Sequence, residues 1–157
     1  MRHIISVLVE NKFGVLARIA GLFSARGFNI DSLAVGETED PSISRMTIVL
    51  NAEDEKILEQ IKKQLHKLID VITVLDLTKK ELFERELVLV KVSLAEKNKS
   101  ALEKIAHKFK ADIVYCDKEA AIVEAHLAQD AMKEFLSLVR EFGIKELVRT
   151  GRIAIPK

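Results

Sequence analysis

Hydrophobic and polar positions in the first half of the chain predict six elements, in the order strand, helix, strand, strand, helix, strand. Runs with a period of two indicate strands, and apolar residues spaced three and four positions apart indicate amphipathic helices. The predicted strands cover residues 3–9, 29–36, 44–50 and 71–77, and the first helix covers residues 14–26. The second helix follows cap and first-turn acids at residues 51–54, and its apolar face contains Ile57, Leu58, Ile61, Leu65, Leu68 and Ile69. This order is that of the split βαβ, ferredoxin-like pattern.

The same order of elements repeats after a charge-rich segment, residues 79–86, which we interpret as a connection. Strands are predicted at residues 87–92, 113–116, 121–127 and 144–149. Ser100 can cap one helix, and Asp130 heads another that ends at Gly143. The repeat is one of pattern more than of letters, which favours two related sandwiches over one large sheet. The sequence therefore predicts an α+β fold with two ferredoxin-like βαββαβ sandwiches in tandem, at residues 1–78 and 87–157.

The stretch from Glu10 to Ile19 joins the first strand to the first helix and is the first candidate for a binding site. Asn11 is a suitable helix cap, and Gly14 opens the first turn without a side chain. The unpaired N–H groups and the positive dipole end of such a helix start attract a carboxylate or a phosphate. We expect Asn29, at the start of the second strand, to offer an amide near the same end of the sheet. On spacing alone, the interpretation of Gly14 and Asn29 as plain turn residues is slightly favoured.

Composition and charge narrow the classes of function. A formal net charge of +1 over 157 residues provides no electrostatic footprint for nucleic acid. No apolar run is long enough to span a bilayer, and the amino-terminal residues lack a signal-peptide pattern, so no membrane partner is expected. The single cysteine, Cys116, fits a cytoplasmic protein, and its apolar strand predicts a core position. No two of the histidines have metal-ligand spacing, and nucleophile and nucleotide motifs are absent, so no catalysis is predicted.

Four motifs in the first half carry a resemblance to a known family. They are Ser6-Val7-Leu8-Val9-Glu10-Asn11-Lys12-Phe13-Gly14-Val15-Leu16-Ala17-Arg18, Leu22-Phe23-Ser24-Ala25-Arg26-Gly27-Phe28-Asn29-Ile30-Asp31-Ser32-Leu33, Ser44-Arg45-Met46-Thr47-Ile48, and Lys63-Gln64-Leu65-His66-Lys67-Leu68-Ile69-Asp70-Val71. In this order they closely resemble the small, regulatory subunit of acetolactate synthase, also called acetohydroxyacid synthase. The stretch from Arg85 to Val92 is similar to the start of that family's second domain. The resemblance thus covers essentially the whole chain.

The resemblance implies an N-terminal ACT domain, a C-terminal domain of similar topology and an effector site at an ACT–ACT dimer interface. It implies a non-catalytic subunit that has no cofactor of its own. Its partner would be a large catalytic subunit that uses thiamine diphosphate, magnesium and FAD to condense two pyruvates, or pyruvate with 2-oxobutyrate. The small subunit would stimulate this partner and confer feedback inhibition by valine or another branched-chain amino acid. A homodimer or larger assembly is expected.

Carried onto this sequence, the resemblance implies six effector-binding residues. They are Asn11, Gly14, Val15 and Leu16 from one protomer, and Asn29 and Ile30 from the other. First-turn N–H groups around Val15 and Leu16 would hold the effector's carboxylate, and oxygens of Asn11 and Asn29 would accept from its ammonium. Side chains of Ile30 and Val15 would form a shallow apolar wall. Ala17 stands where the family motif often has Ser, which removes a hydroxyl contact.

Two other functions remain open from the sequence. The first half alone also fits a free-standing amino-acid-sensing module that acts on a transcription factor or on another enzyme. A small enzyme is the third possibility, because ferredoxin-like folds host many functions. Co-purification of a large thiamine-diphosphate enzyme would favour the regulatory subunit over both.

Overall fold

The computed structural model describes residues 2–51, 55–95 and 98–157. The chain divides into two compact units. The first contains Met1–Phe83 together with Arg152–Lys157, and the second contains Glu84–Gly151. The carboxyl-terminal segment therefore belongs to the same unit as the amino-terminal half.

The first unit has the predicted βαββαβ order. Its elements are β1 (Arg2–Glu10), α1 (Val15–Ser24), β2 (Ile30–Glu37), β3 (Ile43–Asn51), α2 (Glu55–Leu65) and β4 (Val71–Asp76). The four strands form one sheet in the order β2-β3-β1-β4, and every neighbouring pair is antiparallel. β2 and β4 are therefore the edge strands of this sheet, and β1, which leads into the candidate site, is central.

The core of the first unit lies between the sheet and its two helices. Alternate residues of β1, with Val7 at the centre, face α1 and α2 and are buried with Phe23 and Ile61. Amphipathic spacing thus places each helix on the sheet by its apolar face. The α2 prediction is wrong at its end, because the helix stops at Leu65 and Ile69 is 96% exposed. The N–H of Leu68 donates to Leu65 O at 3.1 Å, a tight turn that rotates Ile69 away from the core. The predicted first-turn acids, Glu53 and Asp54, lie outside the described residues.

The opposite face of the first sheet is partly covered by a strand that the sequence pattern does not predict, β9 (Ile153–Pro156). Ala154 of β9 is 4% exposed and packs with Ile4, Val49 and Leu77. The N–H of Lys157 donates to Glu81 O at 3.0 Å. In a four-residue strand, the alternation of apolar and polar residues is too short to be recognised in the sequence. Only the packing of β9 in the structure identifies it as part of the first unit.

The second unit repeats the topology. Its elements are β5 (Leu82–Ser93), α3 (Lys99–Phe109), β6 (Asp112–Cys116), β7 (Ala120–Leu127), α4 (Gln129–Val139), a 3₁₀ turn (Arg140–Phe142) and β8 (Ile144–Arg149). The strands are ordered β6-β7-β5-β8. The rings of Phe109 and Phe135 meet edge to face, with centroids 5.5 Å apart, inside this core. Two predictions here are wrong, since Asn98 and not Ser100 precedes α3, and Cys116 is exposed. The predicted α+β class with two tandem ferredoxin-like units is confirmed.

The observed units differ from the predicted boundaries of 1–78 and 87–157 in two places. β5 begins at Leu82, inside the segment 79–86 that we interpreted as a connection. Leu82 is half-buried and packs against the cluster around Leu77 and Ala154, so this charged segment still has an inward-facing position. Residues 152–157 belong to the first unit, because Ala154 packs against Ile4, Val49 and Leu77.

Candidate functional site

The start of α1 is formed by a glycine in a left-handed conformation. Gly14 has φ +79° and precedes the first helical residue without any side-chain cap. Residues with a Cβ rarely adopt this conformation, so Gly14 lets the chain turn sharply from the loop into the helix. A Cβ at this position would lie 3.1 Å from Arg18 Nη1. The sharp turn thus brings the first helical N–H groups to the surface of the loop.

These N–H groups are the donors that an anion would meet. The N–H of Arg18 donates to Gly14 O at 2.9 Å and is the first to bond back along the helix. The N–H groups of Leu16 and Ala17 precede this bond and point outward from the helix start, where no acidic side chain lies in the first turn. The arrangement can hold one carboxylate.

The apolar residues around the helix start divide into buried and exposed side chains. Val15 is 3% exposed and packs in the core, so the prediction that its side chain forms a wall for the effector is wrong. Leu16 is 45% exposed and Phe13 is fully exposed beside it. Phe13 is an apolar residue in a polar loop, a signal in the sequence that our prediction did not use. The available apolar surface therefore belongs to Leu16 and Phe13.

Asn11 does not cap α1, contrary to expectation. Its Nδ2 donates to Glu37 Oε1 at 3.0 Å and to Pro41 O at 2.9 Å, and its N–H donates to Ser42 O at 2.7 Å. These bonds tie the β1–α1 loop to the β2–β3 turn and use both hydrogens of the amide. Among the described residues, no donor to Asn11 Oδ1 is recorded, so this oxygen and the Glu37 carboxylate can accept from an ammonium. Glu37 is not among the predicted site residues, because the pairing of β2 with β3, and not the local sequence, brings it to Asn11.

Ion pairs hold this end of the unit in shape. Arg18 donates from Nε and Nη2 to Asp70 Oδ2, at 2.9 and 2.6 Å, and Asp70 O accepts from the N–H of Glu10 at 2.9 Å. The Lys12 ammonium donates to Glu10 Oε2 at 2.6 Å, and this hydrogen bond raises the pKa of Lys12 above its usual value. Lys12 is therefore cationic at neutral pH and adds positive charge beside the helix start.

Asn29 and Ile30 lie at the other end of the sheet, which corrects the expectation that Asn29 shares an end with Gly14. Ile30 pairs with Leu50, whose partner on β1 is His3, whereas the β1–α1 loop follows Glu10. The reason is topological, because β1 and β2 run in the same direction, each antiparallel to β3 between them, and α1 carries the chain back. Asn29 is exposed, and its Nδ2 donates to Asp31 Oδ1 at 3.4 Å. One chain therefore brings together Asn11, Gly14, Val15 and Leu16, but not Asn29 and Ile30.

Within residues 2–51, 55–95 and 98–157, no cluster of three His, Cys, Asp or Glu side chains is arranged to hold a metal ion. No helix in the described part of the chain has the length and apolar character needed to cross a membrane.

The fold is that of a protein with two ACT-like units in tandem, of which the first has an exposed helix start after β1. Residues 5–73 match the family described as an AHAS small subunit-like ACT domain, and residues 85–157 match the family described as the small subunit of acetolactate synthase. The chain belongs to the acetolactate synthase small-subunit family.

Individual relatives agree over nearly the full length. The chain is 47% identical over 155 residues to a probable acetolactate synthase small subunit of Archaeoglobus fulgidus, covering 99% of this chain and 96% of that protein. It is 42% identical over 158 residues to the acetolactate synthase small subunit of Haemophilus influenzae, covering 100% of this chain and 96% of that protein. The crystal structure of the Thermotoga maritima acetolactate synthase small subunit superimposes with a TM-score of 0.89 at 36% identity, covering 100% of this chain and 98% of that one. These relationships support a regulatory subunit role.

Proposed function

We propose that this chain is the regulatory subunit that stimulates an acetolactate synthase catalytic subunit and confers feedback inhibition by a branched-chain amino acid, with valine as the first candidate. Two features together support the effector site: the uncapped N–H groups at the start of α1, and the acceptor oxygens of Asn11 and Glu37, whose side chains are joined by a hydrogen bond. The two features lie at the same end of the first unit and have opposite polarity. An amino acid needs such a pair, donors for its carboxylate and acceptors for its ammonium.

Each part of the effector has a partner on the β1–α1 loop, at the start of α1 or at the end of β2. The carboxylate accepts from the N–H groups of Leu16 and Ala17, where the helix dipole favours negative charge. The ammonium donates to Asn11 Oδ1 and to Glu37. The aliphatic side chain lies against the exposed side chain of Leu16, and Phe13 borders the same space.

A second protomer supplies the remaining residues through the free edge of β2. Among the described strands, β2 pairs with β3 alone, and Val35 on this edge strand is 46% exposed. Two copies that pair antiparallel through β2 across a two-fold axis place the start of one β2 beside the end of the other. The partner's Asn29 and Ile30 then approach Glu37, which already contacts Asn11. Such a site is shared between protomers, so its occupancy depends on the geometry of the dimer.

Co-expression with the catalytic subunit of the same organism tests this function. The two proteins should purify together, and the chain should raise the acetolactate synthase activity of the catalytic subunit supplied with thiamine diphosphate, Mg²⁺ and FAD. Valine should lower the activity of the complex but not that of the catalytic subunit alone. A chain that binds valine yet neither purifies with the catalytic subunit nor changes its activity would favour the free-standing sensor.

A further inference from the structure

An open cavity of about 290 Å³ lies on the face of the first sheet that α1 and α2 do not cover. Its lining residues all belong to the first unit and include Ala34, Gly36, Arg45, Thr47, Ile153 and Ala154. Arg45 and Thr47 alternate along β3 with the buried Met46 and Ile48, which places them on this outer face. The cavity is thus distinct from the helix start, which lies beyond the end of β1.

Arg45 is the cation of this cavity, and its hydrogen-bonding capacity is largely unused. Its Nη1 donates to Ser6 Oγ at 3.3 Å, and within the described residues no carboxylate is recorded within 4.0 Å of its guanidinium. By contrast, Arg18 and Arg149 each contact a carboxylate at 2.6–2.7 Å. A guanidinium has five N–H donors in a plane that matches a carboxylate.

The walls around Arg45 are apolar and leave room above the sheet. Ala34 and Ala154 are small, Ile153 is 54% exposed, and a Cβ built on Gly36 would meet no atom within 4 Å. Glu37 also borders the cavity, but it pairs with Ser44, which alternates with Arg45 along β3, and its Oε1 accepts from Asn11 Nδ2. The carboxylate of Glu37 is therefore held away from Arg45 and is not positioned to receive an ammonium in the cavity.

We propose that this cavity binds a short aliphatic monocarboxylate without an ammonium group. The carboxylate accepts from the Arg45 guanidinium, and the carbon skeleton packs against Ala34, Ile153 and Ala154. Acetolactate, the compound in the name of the related subunits, is a branched monocarboxylate of this class. The choice of acetolactate as the natural ligand rests on the proposed function, whereas the ligand class rests on the cavity itself.

The cavity shares β2 with the proposed effector site. Gly36 lines the cavity, and the next residue, Glu37, holds Asn11 by a hydrogen bond. A ligand in the cavity would therefore contact the strand whose last residue belongs to the effector site.

An NMR titration of the full-length ¹⁵N-labelled chain tests the cavity. The probe is 2-hydroxy-2-methylbutanoate, which keeps the branched skeleton, hydroxyl and carboxylate of acetolactate but lacks its ketone. Saturable shifts are expected at the amides of Gly36, Thr47 and Ala154. The neutral amide of the same acid should produce none, because it cannot form the charged pair with Arg45.

Three variants test the contact between the probe and the cavity around Arg45. Arg45→Gln should weaken binding of the probe by about tenfold or more, because it removes a charge-assisted pair. Ala34→Leu keeps the guanidinium, fills the cavity and should abolish binding. Arg26→Gln is the matched control, since Arg26 is an exposed arginine of the same unit whose recorded bond is to Leu22 O; it should bind the probe as the parent does.

Several outcomes contradict this site. They are the absence of saturable shifts, shifts that map away from β2, β3 and β9, and an Arg45→Gln variant with the parent's affinity. If Arg45→Gln does not fold, undiminished binding by Ala34→Leu is equally decisive. Valine titrated into the same samples separates the two proposals: a parent that binds valine but not the probe overturns the cavity alone, and one that binds the probe but not valine overturns the effector site alone. Arg45→Gln should keep the parent's affinity for valine.

Discussion

A pair of substitutions at Gly14 can separate the effect of backbone strain from the effect of an added charge on effector binding. Gly14→Ala and Gly14→Asp both place a Cβ at φ +79° and within 3.1 Å of Arg18 Nη1, so each should destabilise the fold by about 1–3 kcal/mol. Only Gly14→Asp adds a carboxylate that competes for the N–H groups of Leu16 and Ala17 and repels the effector.

Calorimetric titration with valine should therefore detect binding to Gly14→Ala and none to Gly14→Asp, while both variants still dimerise and stimulate the catalytic subunit. Equal valine affinity in Gly14→Asp and the parent would place the effector site elsewhere. Loss of binding in both variants would instead show that the loop conformation, and not the added charge, is responsible.

The contacts of Asp117, at the turn between β6 and β7, predict that the stability of the fold depends on pH. Its carboxylate accepts from the N–H groups of Glu119 and Ala120, both at 2.7 Å, and from the Tyr115 hydroxyl at 2.8 Å. These donors, the Glu119 N–H above all, hold the pKa of Asp117 below its usual value. The carboxylate therefore stabilises the fold at pH values above its unfolded pKa of about 3.9, and this contribution is lost as the pH falls through the lower pKa of the folded state.

Asp117→Asn should accordingly unfold at lower denaturant concentration than the parent at pH 7, and the difference should shrink towards pH 2.5–3. Urea unfolding at both pH values measures it. A difference that is constant with pH would show that the charge of Asp117 does not contribute.

At the scale of elements, β9 stabilises the first unit by covering part of the outer face of its sheet. Ala154 is buried against Ile4, Val49 and Leu77, while its neighbour Ile155 is 57% exposed. Ala154→Asp would bury a carboxylate without a partner and should cost about 3 kcal/mol or more. Ile155→Asp, in the same strand, should change the free energy of unfolding by about 0.5 kcal/mol. Urea unfolding of the two variants compares them, and equal effects would mean that β9 does not pack as described.

The same packing determines what a fragment that ends near Lys80 would lose. Such a fragment keeps the six elements from β1 to β4 but lacks β9 and β5. Ile4, Val49 and Leu77 therefore lose their contacts with Ala154 and Leu82. We expect it to be less stable than the first unit within the full chain. Burial of the affected residues, and not their position in the sequence, decides what a truncation removes.

At the scale of the whole molecule, the proposed effector site requires a dimer. Asn29 and Ile30 cannot reach Gly14 within one chain, because they lie at opposite ends of the sheet. Sedimentation at micromolar concentration should therefore show no appreciable monomer. Val35→Lys, on the edge strand β2, should favour the monomer and weaken valine binding together. A clean monomer that binds valine with the parent's affinity would contradict the shared site.

Local pattern was sufficient for much of this protein. Hydrophobic periodicity determined the order of strands and helices in both units, and Gly14 and Gly143 marked turns that do have positive φ. The motifs around Asn11 and Asn29 were sufficient to identify the family, since they lie in order along one stretch of chain. These features depend on residues that are close in sequence, where local conformational preference dominates.

Only the tertiary structure decided which residues meet across the fold. Strand pairing placed Asn29 far from Gly14 and brought Glu37 to Asn11, and packing turned Val15 inward and Ile69 outward. It also brought Ala154 back to the first unit. Each of these outcomes depends on contacts between residues that are distant in sequence. The positions of these side chains are therefore set by the surface that the assembled unit buries and by its hydrogen bonds, and a local sequence pattern contains neither.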